Sequence, residues 1–350
     1  MYPIGDVGAL SGPARILLNA LWNHPARTGE PGEACVLVPA VDTLCAYNMC
    51  TDTDAEVSVA LRSLPHWNHG VDHVIVNFKD HEFKADVGYA VQVQSSFGPD
   101  IDTAGLATYL NISSAPGFTQ ARPGYDVVFP LSFYRCGFHG DEHMTSFRDT
   151  AIPPSQHRRI LVSFKGARHD VPTMHPSHAR NLLPLIHNGV DVIMHTYCVF
   201  DTVDCRTNAS SVMSSSNRRE YIAACDRDTV ASGAEGSSFH ALMLESQFSI
   251  ILPGEGTHSY RLLEALAAGS VPVLLGAAAA PFPDIIDWPA VAVIQADVSE
   301  AGIRGLPAKL RAIPAPHRWR MQQRGLQVFH AYLSSLDAHI DALLTVFQRR

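Results

Sequence analysis

The chain has 350 residues and a mass of 38.1 kDa, enough for two domains of ordinary size. Its 46% hydrophobic and 17% charged residues exclude a disordered chain. Its 26 basic against 34 acidic residues, net charge −8 with no Lys/Arg run, exclude a nucleic-acid surface as the main business.

In chain order, the apolar pattern expects a helix over Ala14–Trp22, a strand over Ala34–Val41, a helix over Ala55–Leu64 and strands over His73–Phe78 and Tyr125–Leu131. A strand at Ile160–Lys165, a helix at His178–His187, a strand at Asp191–His195 and a helix at Ser238–Ser246 follow. Then come a strand at Phe248–Leu252, a helix at Ser259–Ala268, and strands at Val271–Leu275 and Val291–Ile294. The strands are nearly continuous in apolar residues, which suits strands covered on both faces. Their alternation with helices expects parallel sheets in doubly wound α/β units. Ala151-Ile-Pro-Pro-Ser-Gln-His157 cannot be helical through its prolines and marks a boundary. The expected organisation is residues 1–157, residues 158–316 and a closing helical segment, 317–350, with Leu326, Phe329, Leu333, Leu336, Ile340 and Leu343 at helical spacing. Ligands of such folds bind at the carboxyl ends of the strands. Val271–Pro283, the longest apolar stretch, is broken by prolines and too short to span a bilayer, so no membrane span is expected. Asp6 and Gly8 interrupt the start, so no signal peptide is expected, and a targeting segment would lie outside this chain.

The most informative stretch runs from Phe248 through Ser-Ile-Ile-Leu-Pro-Gly-Glu-Gly-Thr-His-Ser-Tyr-Arg-Leu-Leu-Glu-Ala-Leu266. A buried strand ends at Pro253, a loop carries Gly254 and Gly256, and a helix begins near Ser259. Free amides and the dipole at a helix start favour a phosphate or sugar phosphate. Arg261 and Glu264, three apart, share one helix face; the guanidinium suits a diphosphate and the carboxylate a ribose diol. A capped helix with an Arg–Glu surface pair would give the same pattern. A second segment, Ile160-Leu-Val-Ser-Phe-Lys-Gly-Ala-Arg168, delivers Lys165, Gly166 and Arg168 to a strand end, with Arg180 on the next helix. Such cations can neutralise a departing diphosphate, or they can be solvated surface charge.

Seven cysteines form no CxxC pair, which argues against a zinc ribbon and leaves room for one or two disulfides. Asn111-Ile-Ser and Asn208-Ala-Ser are glycosylation sequons and, with the cysteines, lean toward an oxidising lumen. Asp52-Thr-Asp54 and Asp226-Arg-Asp228 have the spacing of a metal-binding DxD, but neither follows an evident strand, and no metal site is expected.

At these residues the sequence resembles the exostosin family of glycosyltransferases. Phe164-Lys-Gly-Ala-Arg168 resembles the family's Phe-Lys-Gly-x-Arg; Arg180-Asn181 and His187-Asn-Gly-Val-Asp-Val192 resemble the helix and strand that follow. Ser259-Tyr-Arg-Leu-Leu-Glu-Ala-Leu266 with Val271-Pro-Val273 resembles the donor-site helix and next strand, and Pro281-Phe282 with Ile286-Asp-Trp288 the motif after them. In the first half Val41-Asp-Thr-Leu44, His66-Trp-Asn-His-Gly70 and Asp86-Val-Gly88 fit more loosely. The match covers almost the whole chain and is closest to the amino-terminal, glucuronyltransferase-type domain of animal exostosins. The second transferase domain of the heparan polymerases is expected to be absent.

The resemblance implies a GT-B fold, with two Rossmann-like domains facing across a cleft, an inverting mechanism, a UDP-sugar donor with no cofactor, and a glycan acceptor. It also implies a Cys198–Cys225 disulfide, Golgi residence, and pairing with another exostosin-like protein as an option. Arg168, Arg180 and Arg261 are the expected leaving-group stabilisers, Glu264 the ribose ligand, and Lys165, Gly166, Gly254 and Ser259 further donor contacts. Asp86, through its Asp-Val-Gly match, is the expected base and His73 the second choice. Asp86 could instead cap the following segment, and His73 could be a core histidine bonded to backbone. One departure stands out. Pro253-Gly-Glu-Gly256 replaces the Arg-Gly-Arg-Arg of many animal members, which makes a glucuronate carboxylate less welcome beside Glu255 and leaves a non-catalytic partner subunit as the rival reading. A Rossmann-type dehydrogenase is discounted, since no GxGxxG follows an early strand.

Overall fold

A computed structural model describes residues 12–43, 54–77, 85–95, 97, 122, 124–130, 133–134, 137–138, 151–168, 179–198, 201–203, 210–212, 238–253, 257–276 and 278–350. Two parallel sheets organise them. The first takes its strands in chain order: β1 (Val74–Asn77), β2 (Val91–Gln94) and β3 (Val127–Val128). The expected strand at Ala34–Val41 shrinks to a single parallel bridge between Leu37 and His73. Leu37 donates its N–H to Asp72 and accepts from Val74. The next amide on that edge would belong to Pro39, which has no N–H to give, so the ladder stops. β2 was not expected from the sequence, because Val91-Gln-Val-Gln94 alternates where its neighbours run apolar. The glutamines are buried; Gln94 Oε1 accepts from Asn77 Nδ2 at 2.7 Å.

Two short antiparallel ribbons, β4 (Phe133–Tyr134) with β5 (Gly137–Phe138) and β8 (Asp201–Val203) with β9 (Ser210–Val212), stand apart from the main sheets. The second sheet holds β6 (Ile160–Arg168), β7 (Val192–Cys198), β10 (Ser246–Ile251), β11 (Val271–Leu275) and β12 (Val293–Gln295), all parallel, in the order β12-β11-β10-β6-β7. The chain leaves β6 toward β7 and returns to β6's other side at β10. That reversal is a topological switch point, the place where open α/β sheets bind ligands beyond their strand ends.

Helices fill the connections. Asp54–Arg62 buries Val57 and Leu61 against the first sheet's Ile75. The expected helix at His178–His187 is one α-turn, Ala179–Leu182, tightened to a 3₁₀ turn at Leu183–Ile186, where Pro184 has no N–H for an i−4 bond. Phe239–Glu245 runs without a loop into β10, capped by the Ser238 hydroxyl. Glu300–Arg311 escapes sequence reading because Gly302, Gly305 and Pro307 mask its pattern. Its Ile303, Leu306 and Leu310 nevertheless keep helical spacing and are fully buried, and Ser299 caps it through Gly302 N at 3.1 Å. The final segment is helical as expected, but in two pieces, Ala315–Val328 and Leu336–Arg349. A π-turn at Phe329–Leu333 ends the first, and Ser335 caps the second through Ala338 N.

Burial joins the sheets. Val74, Val93, Val127 and Phe129 of the first sheet share one apolar cluster with Leu262 and Leu266 of the Tyr260–Ala267 helix and with Ile340, Leu343 and Val346 of the last helix. The opposite face of the second sheet packs Val162, Phe164, Phe248 and Val273 on Leu183, Ile303 and Leu306. The Ile152–Arg158 linker is not a loose tether. Arg158 is buried and donates to the carbonyls of Pro153, Met243, Ser246 and Ala268, at 2.7–3.1 Å. Burial lowers its pKa to about 10, still far enough above neutrality to keep the charge. Gln322 bonds Ser155 N and Pro153 O from the other side. Gly269, at φ +62°, lies under both, and a Cβ there would meet Ile152 at 2.7 Å.

Candidate active site

The carboxyl ends of β6 and β10 meet at the switch point, and the basic residues gather there. Along β6, Phe164, Gly166 and Arg168 alternate onto one face and Lys165 onto the other. Phe164 folds its ring over Gly166, so closely that a Cβ at 166 would come within 2.7 Å of it. Gly166 is therefore explained by its neighbour's ring. Arg180, from the helical turn after β6, stands over Phe164 at 5.9 Å. It donates to Pro253 O at 2.8 Å and Ala167 O at 3.2 Å, tying the end of β10 to the end of β6. Arg168 is buried at the last position of β6, in register with Cys198 of β7.

The other face carries a tighter group. Arg261 and Glu264 form an ion pair on the Tyr260–Ala267 helix; the acid is 7% exposed and the guanidinium much more open. Arg261 also lies over the ring of Phe239, 3.9 Å from its centroid, with Lys165 Nζ 5.1 Å from the same centroid. Phe239 starts a helix that runs back along the sheet into β10, so its amino end lies over the strands' carboxyl ends. Ser259 occupies the N-cap of the Tyr260 helix in extended conformation, yet its hydroxyl makes no cap bond. Gly254, Glu255 and Gly256 lie outside the described residues, as do Cys225, Asn111, Asn208 and the Asp226-Arg-Asp228 triplet; Cys198 is described as backbone only. Asp54 of the other triplet opens a helix, and among the described residues no three His, Cys, Asp or Glu side chains are arranged to hold a metal.

The first sheet turns its carboxyl ends toward this crevice. Thr257, next to the donor-type loop, donates its hydroxyl to Phe97 O at 3.1 Å, three residues beyond β2. Thr257 O accepts from Ala279 N, so the segment after β11 fixes Thr257. Phe282 N donates to Val128 O at the end of β3; Phe282 is fully buried, at φ +51°, with its ring edge-on to Phe129. The Pro281-Phe282…Trp288 motif thus joins the sheets, and Trp288 Nε1 fixes its turn by bonding Pro281 O.

Asp86 is not brought to this place. It precedes β2, at the amino end of the first sheet, where Tyr89 N bonds His69 O. Its carboxylate caps Gly88 N at 3.1 Å and pairs with Arg62 at 3.2 Å, with 62% of the side chain exposed. The turn-capping role open to it in the sequence is the one it holds, a strand's length from the crevice. His73 also lies at that end, 1% exposed, with Nδ1 against Val71 O and its ring edge-on to Trp67. Sequence reasoning missed Phe239 and Thr257. Phe239 carries no motif and Thr257 was only a position within the Phe248–Leu266 stretch; their roles depend on which strand ends the topology brings together.

The Exostosin GT47 domain matches residues 14–302. The chain belongs to the exostosin family of glycosyltransferases. This exostosin-family chain is 29% identical over 358 residues to Exostosin-1 of Drosophila melanogaster, an alignment covering 99% of it and 42% of the relative. It is 26% identical to Exostosin-1c of Danio rerio, over 100% of the chain and 43% of that protein. It thus spans about two fifths of the length of these curated relatives. The solved structure of Anabaena HepE in complex with UDP and glucose is similar over 98% of the chain and 84% of its own, with 9% identity and a TM-score of 0.43. The exostosin chain is of the α/β class, with two parallel sheets turning their carboxyl ends toward one crevice.

Proposed function

We propose that this chain is an inverting glycosyltransferase that moves a sugar from a UDP-sugar onto a growing glycan, with the donor in the crevice at the β6/β10 switch point. The observation that carries this reading is that four cations gather at the carboxyl ends of two adjacent parallel strands, Arg168 and Arg180 on one face and Lys165 and Arg261 on the other, with the buried Glu264 carboxylate paired to Arg261. Arginine recognises phosphate bidentately and is always charged, so such a group can hold a diphosphate as it departs with its bond electrons. In this reading Glu264 is the ribose ligand and Ser259 a phosphate contact, with Gly254 assigned beside it by the family match alone. The base that takes the acceptor's proton belongs to the carboxyl side of the first sheet, and Asp86 is not assigned that role. Residues 1–157 form the acceptor side, 158–316 the donor side, and 317–350 the closing helices. A Cys198–Cys225 disulfide, glycans at Asn111 and Asn208, and residence in the Golgi lumen complete the reading by family. One observation favours a second reading, a non-catalytic subunit that stabilises a partner transferase: Glu255 and Gly256 stand where many animal relatives have arginine.

The test is calorimetric titration of the folded protein with UDP and then with a panel of UDP-sugars. UDP binding weakened at least about 100-fold in Arg261→Ala supports the donor site, since the change removes a charge-assisted contact and leaves Glu264 buried without its cation. The sugar bound most tightly names the donor. Failure of any uridine nucleotide to bind leaves the partner-subunit reading in place.

A further inference from the structure

The motif residues explain which cations reach the crevice, but not what holds the open ones in place. Arg180 is fixed by two backbone carbonyls and Arg168 is buried. Arg261 and Lys165 have long stems and reach the crevice from a helix and a strand on the same side of the sheet. What they share is the ring of Phe239, with the guanidinium carbon 3.9 Å and the ammonium 5.1 Å from its centroid, both inside the range of a cation–π contact. Phe239 belongs to no family motif identified in the sequence.

We infer that Phe239 is a positioning residue, an aromatic platform that holds Arg261 and Lys165 ready for the donor's diphosphate. The inference rests on the donor-site reading above. An aromatic face attracts a cation through its quadrupole and accepts none of its N–H groups in strong hydrogen bonds. Glu264 takes one edge of the Arg261 guanidinium through Nη1, and the ring takes its flat face. The remaining N–H donors stay in the plane, where a phosphate oxygen can reach them. A second carboxylate in the ring's place would hold the cations as well, but it would compete with the diphosphate for those donors and repel it. The negative face also offsets part of the repulsion between two like charges gathered over one ring. The platform sits where it does because Ser238 caps its helix at that end and the helix enters β10 with no loop between.

The experiment titrates UDP, by calorimetry, into wild-type protein, Phe239→Leu, Phe239→Tyr, and protein carrying one, two or three fluorines on the Phe239 ring. Fluorination drains the ring's negative face while keeping its shape, so a merely structural role would not register it. Expected are about ten-fold weaker binding in Phe239→Leu, near wild-type binding in Phe239→Tyr, and a stepwise loss with each fluorine. Unchanged thermal midpoints would show that the variants remain folded. Wild-type binding that is indifferent to fluorine count overturns the platform and leaves the donor site standing. Wild-type protein that binds no UDP overturns the donor site, and the platform with it.

Discussion

The two sheets are built from similar strands and differ in one turn of the chain. The first lays β1, β2 and β3 side by side in sequence order, with Leu37 bridged at its edge. The second starts at β6, adds β7, and then crosses back to place β10 on β6's other side. Among the described residues only that reversal opens a crevice between neighbouring strand ends, and it is where the cations are. The first sheet contributes a wall through Phe97 O and Val128 O. The lesson is that equal burial and equal parallel pairing do not make equal sites; the order in which strands are added decides which sheet has room for a ligand.

That contrast can be broken at three places. The largest effect is expected at Arg158, which stitches the linker to the helix ends and β10 of the second sheet. Arg158→Met should destabilise the protein by about 4 kcal/mol in denaturant melts, because several buried carbonyls lose their donors together. Arg158→Lys should recover little, since an ammonium cannot reproduce the fork.

Next is acid. His339, fully buried in the last helix against Phe129 of the first sheet's core, has its pKa pushed down to about 4 by desolvation, against a smaller opposing effect from its bond to Leu333 O. The unfolded chain binds a proton near pH 6.5 and the folded one only near 4. Stability from this group is therefore full above pH 6.5 and is lost as pH falls toward 4, by about 3 kcal/mol over that window. Urea melts between pH 7 and 4.5 should show this slope in wild type and a shallower one in His339→Leu. The same slope in both proteins would refute the assignment.

The smallest effect is expected at Asp86. Asp86→Asn keeps the cap on Gly88 and loses only an exposed pair with Arg62, so stability should change by less than about 1 kcal/mol and UDP affinity not at all. A large fall in sugar transfer in that variant would return the base to Asp86 and contradict its position at the amino end.

Much of this was legible in the sequence. The second sheet's five strands announced themselves as apolar runs, and both basic segments lie at strand ends, because a buried parallel strand needs little beyond continuous Val, Ile and Leu. Their three-residue spacing placed Arg261 and Glu264 on one helix face. What stayed hidden is what depends on partners far away in sequence. β2 is a strand because its glutamines find Asn77 and the core beneath; Glu300–Arg311 is a helix despite Gly302, Gly305 and Pro307 because the second sheet buries one stripe of it. Asp86 was misplaced because a three-residue match says nothing about which end of a strand it precedes. Phe239 looked like one more apolar helix residue until Lys165 and Arg261 were seen on its ring.

The shared core has a consequence for how the chain is made. Val74, Val93 and Val127 emerge from a ribosome well before Ile340, Leu343 and Val346, which belong to the same cluster. Until Leu262, Leu266 and then the last helix are made, the first sheet's apolar face lacks much of its cover. A partly uncovered apolar face invites self-association, so the first sheet depends on chaperones during synthesis until residues 336–349 arrive.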